Sequence, residues 1–281
     1  MPTFPAPDGT ELFYDAYEPA APRAQLLLLH GWSDHAGRYR WLAEQLRAAG
    51  LAAYTPDLRG HGRSGGRRAH LARFSQLLGD VHAFRRVAQR KAELPQVLVG
   101  HGFGALVALR YLETQPILPP IAAVLSAPLL GAARTAWWHN LATRVLGDLW
   151  PSFSLSTATD PSQLSRDPEA VATYAADQGV AARITVGARR EIEWAQRAVV
   201  ADGRRIEAPL LFLLGGEDRV TDPHLARAFA DGLACRAAVR WYPEMYHDVF
   251  SDPQKATVVA DVVAFVDTVL AEPSAAQTRT S

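Results

Sequence analysis

The composition of this chain describes a neutral protein that is large enough for a substantial core. It has 281 residues, of which 48% are hydrophobic, and its 29 basic residues balance 29 acidic ones. Such a length suits one large domain with room for an inserted subdomain. The balanced charge gives no support for nucleic-acid binding. The single cysteine, Cys235, excludes an intramolecular disulfide and argues against a metal cluster.

No segment of the sequence has the pattern of an export signal or a membrane anchor. Residues 1–10 lack a basic stretch followed by an apolar one, and no apolar run approaches membrane-spanning length. We therefore expect a soluble, cytoplasmic protein.

Short apolar runs alternate with longer helical patterns along most of the chain. This alternation is typical of a mostly parallel central sheet with helices on both faces. Strands are predicted at 11–17, 25–30, 52–55, 96–100, 121–126, 209–214 and 237–242. Helices are predicted at 38–49, 71–93, 103–114, 223–232 and 255–271.

The alternation stops between residues 131 and 205, which have a helical pattern interrupted by turn signals. This segment follows the strand that ends at Ser126, so it would lie over the carboxyl ends of the strands, where open α/β sheets bind ligands. We predict a core formed by residues 1–130 and 206–271, a helical cap at 131–205 and a disordered tail at 272–281. The turn signals are Pro151, Asp160-Pro161 and Asp167-Pro168.

Large apolar residues recur at helical spacing within the predicted cap. They form either a lipid-facing lid surface that contacts membranes transiently, or a stripe that packs on the core. Amphipathic helices usually bury their apolar face, which favours packing. The stripe consists of Trp138, Leu141, Val145 and Leu149, flanked by Trp137 and Trp150.

Residues 98–105 read Leu-Val-Gly-His-Gly-Phe-Gly-Ala, a pattern of strand, sharp turn and helix. It resembles the nucleophile elbow G-x-S-x-G of the α/β-hydrolase fold, in which the central residue is serine. The residue at that position here is Gly102.

An acid and a base follow in the order that α/β-hydrolases use after the nucleophile. Asp218 comes after a buried-strand pattern and a glycine turn, and His247 comes after the last predicted strand. In this interpretation His247 takes the nucleophile's proton, and Asp218 holds the second ring N–H. The alternatives are Glu217 as the acid, Asp218 as a residue near a helix start, and His247 as a surface-loop residue.

An early segment supplies the pattern of an oxyanion hole. His30-Gly31-Trp32 follows a predicted strand, and the backbone N–H groups of Trp32 and Phe103 are expected to face the developing oxyanion. We expect His30, His61 and His101 to be structural.

Two further segments extend the resemblance to the monoacylglycerol lipase and lysophospholipase group. Residues 30–39 resemble its H-G-x-x-[DE]-H-x-x-R-Y segment, and residues 57–64 resemble its D-x-R-G-H-G-x-S loop. Residues 165–168, Ser-Arg-Asp-Pro, are similar to part of that group's lid. The resemblance runs from about residue 9 to residue 270.

This resemblance implies hydrolysis of single-chain glycerolipid esters without a cofactor, with an acyl ester or lipid as the partner molecule. It implies that Asp218 and His247 are the acid and the base, and that Trp32 and Phe103 are the oxyanion donors. The nucleophile position maps to Gly102, which has no side chain to carry out that step.

Glycine at position 102 closes the serine acyl-enzyme route, although it accepts unusual backbone angles freely. Three interpretations stay open: a serine-to-glycine change introduced into an active lipase, an acyl-binding protein without ordinary turnover, or base chemistry by His247 and Asp218. Ser33 and Ser126 lie near the predicted site but not at the elbow. The sequence therefore predicts an ester hydrolase whose activity is severely impaired.

Overall fold

A computed structural model of the protein describes residues 2–114, 116–131, 150, 152–157 and 160–272. The strands are β1 Thr3–Pro5, β2 Glu11–Tyr17, β3 Gln25–Leu29, β4 Ala52–Pro56, β5 Gln96–His101, β6 Ala122–Ser126, β7 Ser154–Ser156, β8 Arg183–Thr185, β9 Leu210–Gly215 and β10 Ala237–Tyr242. The helices are α1 Arg40–Ala48, α2 Phe74–Lys91, α3 Phe103–Glu113, α4 Pro168–Ala176, α5 Val186–Asp202, α6 Pro223–Asp231 and α7 Lys255–Ala271.

The central sheet of the described chain has the strand order β1-β2-β4-β3-β5-β6-β9-β10. At one edge β1 pairs antiparallel with β2, and β2 pairs antiparallel with β4. The other strands of this sheet, β3, β5, β6, β9 and β10, run parallel to β4. Every residue of β3, β5, β6 and β9 is buried, as expected for parallel strands covered on both faces. The prediction of a mostly parallel α/β sheet is confirmed.

Helices cover both faces of the sheet because neighbouring residues of a strand point to opposite sides. In β3, Leu26 and Leu28 pack in one cluster with α1 and α7, whereas Leu27 and Leu29 pack in another with α2 and α3. Because β5, β9 and β10 run parallel, their carboxyl ends lie at the same edge of the sheet.

The segment between β6 and β9, called the inserted segment below, was predicted to be helical, and this prediction is only partly correct. It contains α4 and α5, but also a two-stranded antiparallel ribbon formed by β7 and β8. Each strand has three residues, which is too short to show alternation in the sequence. β1, equally short and ending in Pro5, was also not predicted.

The inserted segment shares its core with the rest of the protein. Ala188, Ile192 and Ala195 of α5 belong to the same apolar cluster as α3. The predicted apolar stripe at 137–149 lies outside the described residues, as do 273–281 of the predicted tail. Trp150, which flanks the stripe, is 65% exposed. In the described parts of the chain, no helix is both long and apolar enough to span a bilayer.

Candidate active site

The turn between β5 and α3 places Gly102 at the carboxyl edge of the sheet. Its φ is 53° and its ψ is −111°, a left-handed conformation that favours glycine. The N–H of Gly102 donates to the carbonyl oxygen of Ser126 at 2.9 Å, which ties the turn to β6. A Cβ at Gly104 would lie 2.0 Å from the carbonyl oxygen of Leu29, so only glycine fits this close approach of α3 to β3.

Asp218 and His247 form a hydrogen-bonded pair beside this turn. His247 Nδ1 lies 2.9 Å from Asp218 Oδ2, and since a carboxylate only accepts, Nδ1 carries the hydrogen. The other partners of Asp218 are the N–H groups of Val220 and Thr221, at 2.7 and 2.9 Å, and the Thr221 hydroxyl at 2.6 Å. Burial alone would raise the pKa of Asp218, but the His247 charge and these hydrogen bonds lower it to about 2.

The second ring nitrogen of His247 faces the elbow. A Cβ placed on Gly102 would lie 3.5 Å from His247 Nε2. Burial tends to lower the pKa of His247, but the adjacent Asp218 outweighs burial, so the pKa is raised above the ordinary value of a histidine. The structure thus brings Gly102, His247 and Asp218 together, with a lone pair on Nε2 when the ring is neutral.

Trp32 and Phe103, the predicted oxyanion donors, line one cavity with Gly102 and His247. Their rings meet edge to face with centroids 5.1 Å apart. Phe103 begins α3, so its N–H has no partner inside the helix. Among the described residues, no acceptor pairs with the backbone N–H of Trp32 or of Phe103.

The loop that carries Trp32 is held against the inserted segment. Trp32 Nε1 donates to the carbonyl oxygen of Arg183 at 3.1 Å, and Ala181 N–H donates to the carbonyl oxygen of Ser33 at 3.1 Å. His35 adds a contact of 2.8 Å between its Nε2 and Asp177 Oδ2. The inserted segment therefore fixes the position of the loop.

The cavity has a volume of about 120 Å³ and a charged part that was not predicted. Arg38 Nε lies 2.9 Å from Asp34 Oδ1, and Arg38 Nη2 lies 3.7 Å from Asp248 Oδ2. The sequence held a signal for these residues, because Asp34 and Arg38 belong to the motif at 30–39 and Asp248 follows His247 directly.

His30, His61 and His101 are buried, and each has a hydrogen bond to a neighbouring group of the protein. His30 Nδ1 donates to the carbonyl oxygen of Gly31 at 2.7 Å, and its Nε2 accepts from the N–H of Leu58 at 2.8 Å. Burial lowers the pKa of His30 to about 4 and that of His61 to about 3. Burial and the nearby His247 lower the pKa of His101 to about 4.

Among the described residues, no hydrogen bond or ion pair joins Glu217, Ser33 or Ser126 to His247. Glu217 is exposed, whereas the Asp218 side chain is 1% exposed. Ser126 Oγ lies 3.1 Å from His101 Nδ1, and Ser33 Oγ lies 3.2 Å from Thr157 Oγ1. Both hydroxyl groups thus contact partners other than His247.

Comparison with known proteins gives one family. A family model described as serine aminopeptidase, S33, matches residues 20–254. A monoacylglycerol lipase of Mycolicibacterium smegmatis is 33% identical, over 94% of this chain and 95% of its own length. Phospholipase YtpA of Bacillus subtilis is 28% identical, over 88% of this chain and 96% of its own. The crystal structure of Paleococcus ferrophilus monoacylglycerol lipase superposes with a TM-score of 0.84 and 29% identity, covering 92% of this chain and 99% of that one.

The matched range contains the elbow, Asp218 and His247, and the sheet order and the motifs agree with the resemblance stated from the sequence. The chain therefore belongs to this α/β-hydrolase family, in the group of proteins that are similar to monoacylglycerol lipases.

Proposed function

We propose that the protein has the active-site frame of a carboxylic ester hydrolase for single-chain acyl esters, with Gly102 at the position of the nucleophile. The observation that carries this proposal is the distance of 3.5 Å between His247 Nε2 and a Cβ placed on Gly102. A hydroxyl one bond beyond that Cβ would come within hydrogen-bonding reach of Nε2.

The pair of His247 and Asp218 supports the role of a general base. Asp218 orients the ring, holds the hydrogen on Nδ1 and stabilises the imidazolium that forms when Nε2 takes a proton. In the proposed site the N–H groups of Trp32 and Phe103 stabilise the oxyanion. Each element of an acyl-transfer site is thus assigned except the nucleophile.

The proposal implies that acyl-enzyme turnover is lost. Removing the catalytic serine of subtilisin lowers kcat by about 10⁶, with about 10³–10⁴ over water left from the oxyanion hole and binding. We expect a comparable residual activity here, supplied by oxyanion stabilisation and by a water that His247 deprotonates.

The direct test is Gly102→Ser, called the serine variant below, assayed for hydrolysis of p-nitrophenyl octanoate. We expect kcat/KM to rise by at least about 10³ over the unaltered chain. The control carries His247→Ala in the same background and should lose the gain. Because Gly102→Ala adds the Cβ without a hydroxyl, it should show no gain either. A serine variant as inactive as Gly102→Ala would contradict the proposal.

Binding of an acyl ligand without turnover is a second candidate function. It is favoured by the cavity that adjoins Nε2 and the unpartnered N–H groups, because this space is available to a ligand. Saturable binding of an acyl ester with no product would support it. A third candidate, hydrolysis by water and His247 alone, predicts activity in the unaltered chain that His247→Ala abolishes.

We further propose that residues 131–205 form a cap that contacts lipid surfaces transiently, in a cytoplasmic protein. The exposure of Trp150 and Phe153, 65% and 53%, supports the contact. Replacing both by alanine should weaken sedimentation with phosphatidylcholine–phosphatidylglycerol vesicles. Leu225→Ala, which changes an exposed residue of α6, should not.

A further inference from the structure

The surroundings of Gly102 offer hydrogen-bond donors to a ligand. Two are the backbone N–H groups of Trp32 and Phe103, which have no acceptor among the described residues. The Phe103 N–H also stands at the start of an 11-residue helix, where the aligned peptide dipoles favour negative charge.

His247 supplies the third donor whenever it is protonated. The residue is 7% exposed, and its Nε2, unlike its Nδ1, has no hydrogen-bond partner in the described chain. Nδ1 is committed to Asp218, so a proton that binds the ring goes to Nε2, on the side of Gly102. The protonated ring therefore adds a charged donor to the two neutral ones.

The missing side chain at residue 102 leaves room for an oxygen beside His247 Nε2. A Cβ there would meet its nearest neighbours, His247 Nε2 and Cε1, at 3.5 and 3.8 Å, so the space beside Nε2 is open. In a serine hydrolase the serine oxygen fills this space. Here an oxygen of a ligand can fill it.

We propose that this site binds the free carboxylate of a single-chain fatty acid. One carboxylate oxygen accepts from the N–H groups of Trp32 and Phe103, and the other occupies the space above Gly102 and accepts from His247 Nε2–H. The inference rests on the proposed function, because it uses the same oxyanion donors. It adds that the ligand of this site is the anion of a fatty acid.

A carboxylate fits these donors better than an ester does. Two oxygens that share one negative charge match a pair of N–H groups and a charged ring N–H, and such charge-assisted bonds are about twice as strong as neutral ones. An ester places an alkoxy oxygen, a weaker acceptor, beside Nε2. The structure therefore favours the acid over the ester.

The charged groups around His247 do not cancel this preference. Asp218 faces Nδ1, and His101 is close to His247, with ring centroids 4.7 Å apart, but stays neutral because its pKa is lowered to about 4. Asp34 and Asp248 line the same cavity, but both lie beside Arg38. Arg38 offsets one of these two charges. Both carboxylates are also held by hydrogen bonds, Asp34 from the Tyr39 hydroxyl and Asp248 from the Ser251 hydroxyl.

The test is isothermal titration calorimetry of the unaltered protein with octanoate and with nonan-2-one, which replaces one carboxylate oxygen by a methyl group. At pH 6 we expect octanoate to bind at least about tenfold more tightly. At a pH above the pKa of His247 the ring is neutral in the free protein, so octanoate binding should be coupled to protonation of His247. The uptake should approach about one proton per octanoate as the pH of the experiment is raised. Titrations at pH 8 in phosphate and in Tris measure this uptake from the difference in heat.

Equal affinity for the two ligands, or octanoate binding without proton uptake, would overturn the inference. These two measurements use the unaltered chain, so no variant has to fold for the test to decide. His247→Ala should remove both the preference and the proton uptake, whereas the exposed His224→Ala should change neither.

The serine variant separates this inference from the proposed function. Its hydroxyl competes for the oxygen position, so octanoate should bind about tenfold more weakly. If the serine variant hydrolyses esters but the unaltered chain shows no preference for octanoate, the carboxylate inference fails and the proposed function stands. If octanoate binds with proton uptake but the serine variant is inactive, the reverse holds.

Discussion

The elbow contains two glycines, Gly102 and Gly104, that are required for different physical reasons. Replacing each by alanine distinguishes backbone strain at Gly102 from steric crowding at Gly104. At Gly102 a Cβ has neighbours no closer than 3.5 Å, but φ is 53°. Such a conformation costs a non-glycine residue about 1–3 kcal/mol. Alanine also lowers the conformational entropy of the unfolded chain, which offsets about 0.4–1 kcal/mol of this cost. We therefore expect Gly102→Ala to lower the free energy of unfolding by about 1–2 kcal/mol.

Gly104→Ala is the matched comparison, two residues away on the same turn. Its Cβ would lie 2.0 Å from the carbonyl oxygen of Leu29 and 2.7 Å from that of His30, so the backbone of β3 or α3 has to move. We expect a loss of at least about 3 kcal/mol, at the upper end of the cost of overpacking.

Urea unfolding of the two variants measures the difference as a shift of the midpoint at an unchanged slope. A greater loss for Gly102→Ala than for Gly104→Ala would refute the assignment of strain to one position and of crowding to the other. The expected result would also give the approximate cost of placing serine at residue 102.

Three further predictions concern the charged residues. In the serine variant, Asp218→Asn should lower kcat by about 10⁴, because the amide NH2 favours the ring tautomer with its hydrogen on Nε2 and no negative charge stabilises the imidazolium; steady-state kinetics measure the loss. The neutral ring of His247 is the active form, so kcat/KM of the serine variant should decrease as the pH drops through the pKa of His247. Because that pKa is raised, the decrease should begin at a higher pH than for an ordinary histidine, and Asp218→Asn should shift it to lower pH. Asp80→Ala should lower the free energy of unfolding by about 3–5 kcal/mol, since it leaves Arg59 buried with a weaker partner; the exposed Asp267→Ala should cost less than about 1 kcal/mol in the same urea titration.

The sheet could be predicted because parallel strands that are buried on both faces appear as continuous apolar runs. β3, β6 and β9, for example, were predicted to within one residue. β10, an edge strand that is only partly buried, was predicted with the bounds that the structure shows. The three-residue strands could not be predicted, since their pairing depends on partners elsewhere. β7 and β8, which pair with each other, are separated by the 26 residues 157–182 along the chain.

The order of Gly102, Asp218 and His247 could be predicted because each follows the carboxyl end of a strand. The support around them depends on contacts between distant segments. Thr221 holds Asp218 through its hydroxyl, and Trp32 reaches the carbonyl oxygen of Arg183, 151 residues away along the chain. No local pattern encodes such a contact, so it became visible only in the folded chain.

The central claim is that a hydrolase frame surrounds a missing nucleophile, and covalent labelling tests it most directly. The unaltered protein and the serine variant would be treated with a fluorophosphonate, which reacts with activated serines, and then analysed by intact and peptide mass spectrometry. The account predicts one adduct, on the peptide that contains residue 102, in the serine variant alone, and its loss when His247→Ala is added. Labelling of the unaltered chain at another residue, or no labelling of a folded serine variant, would contradict it.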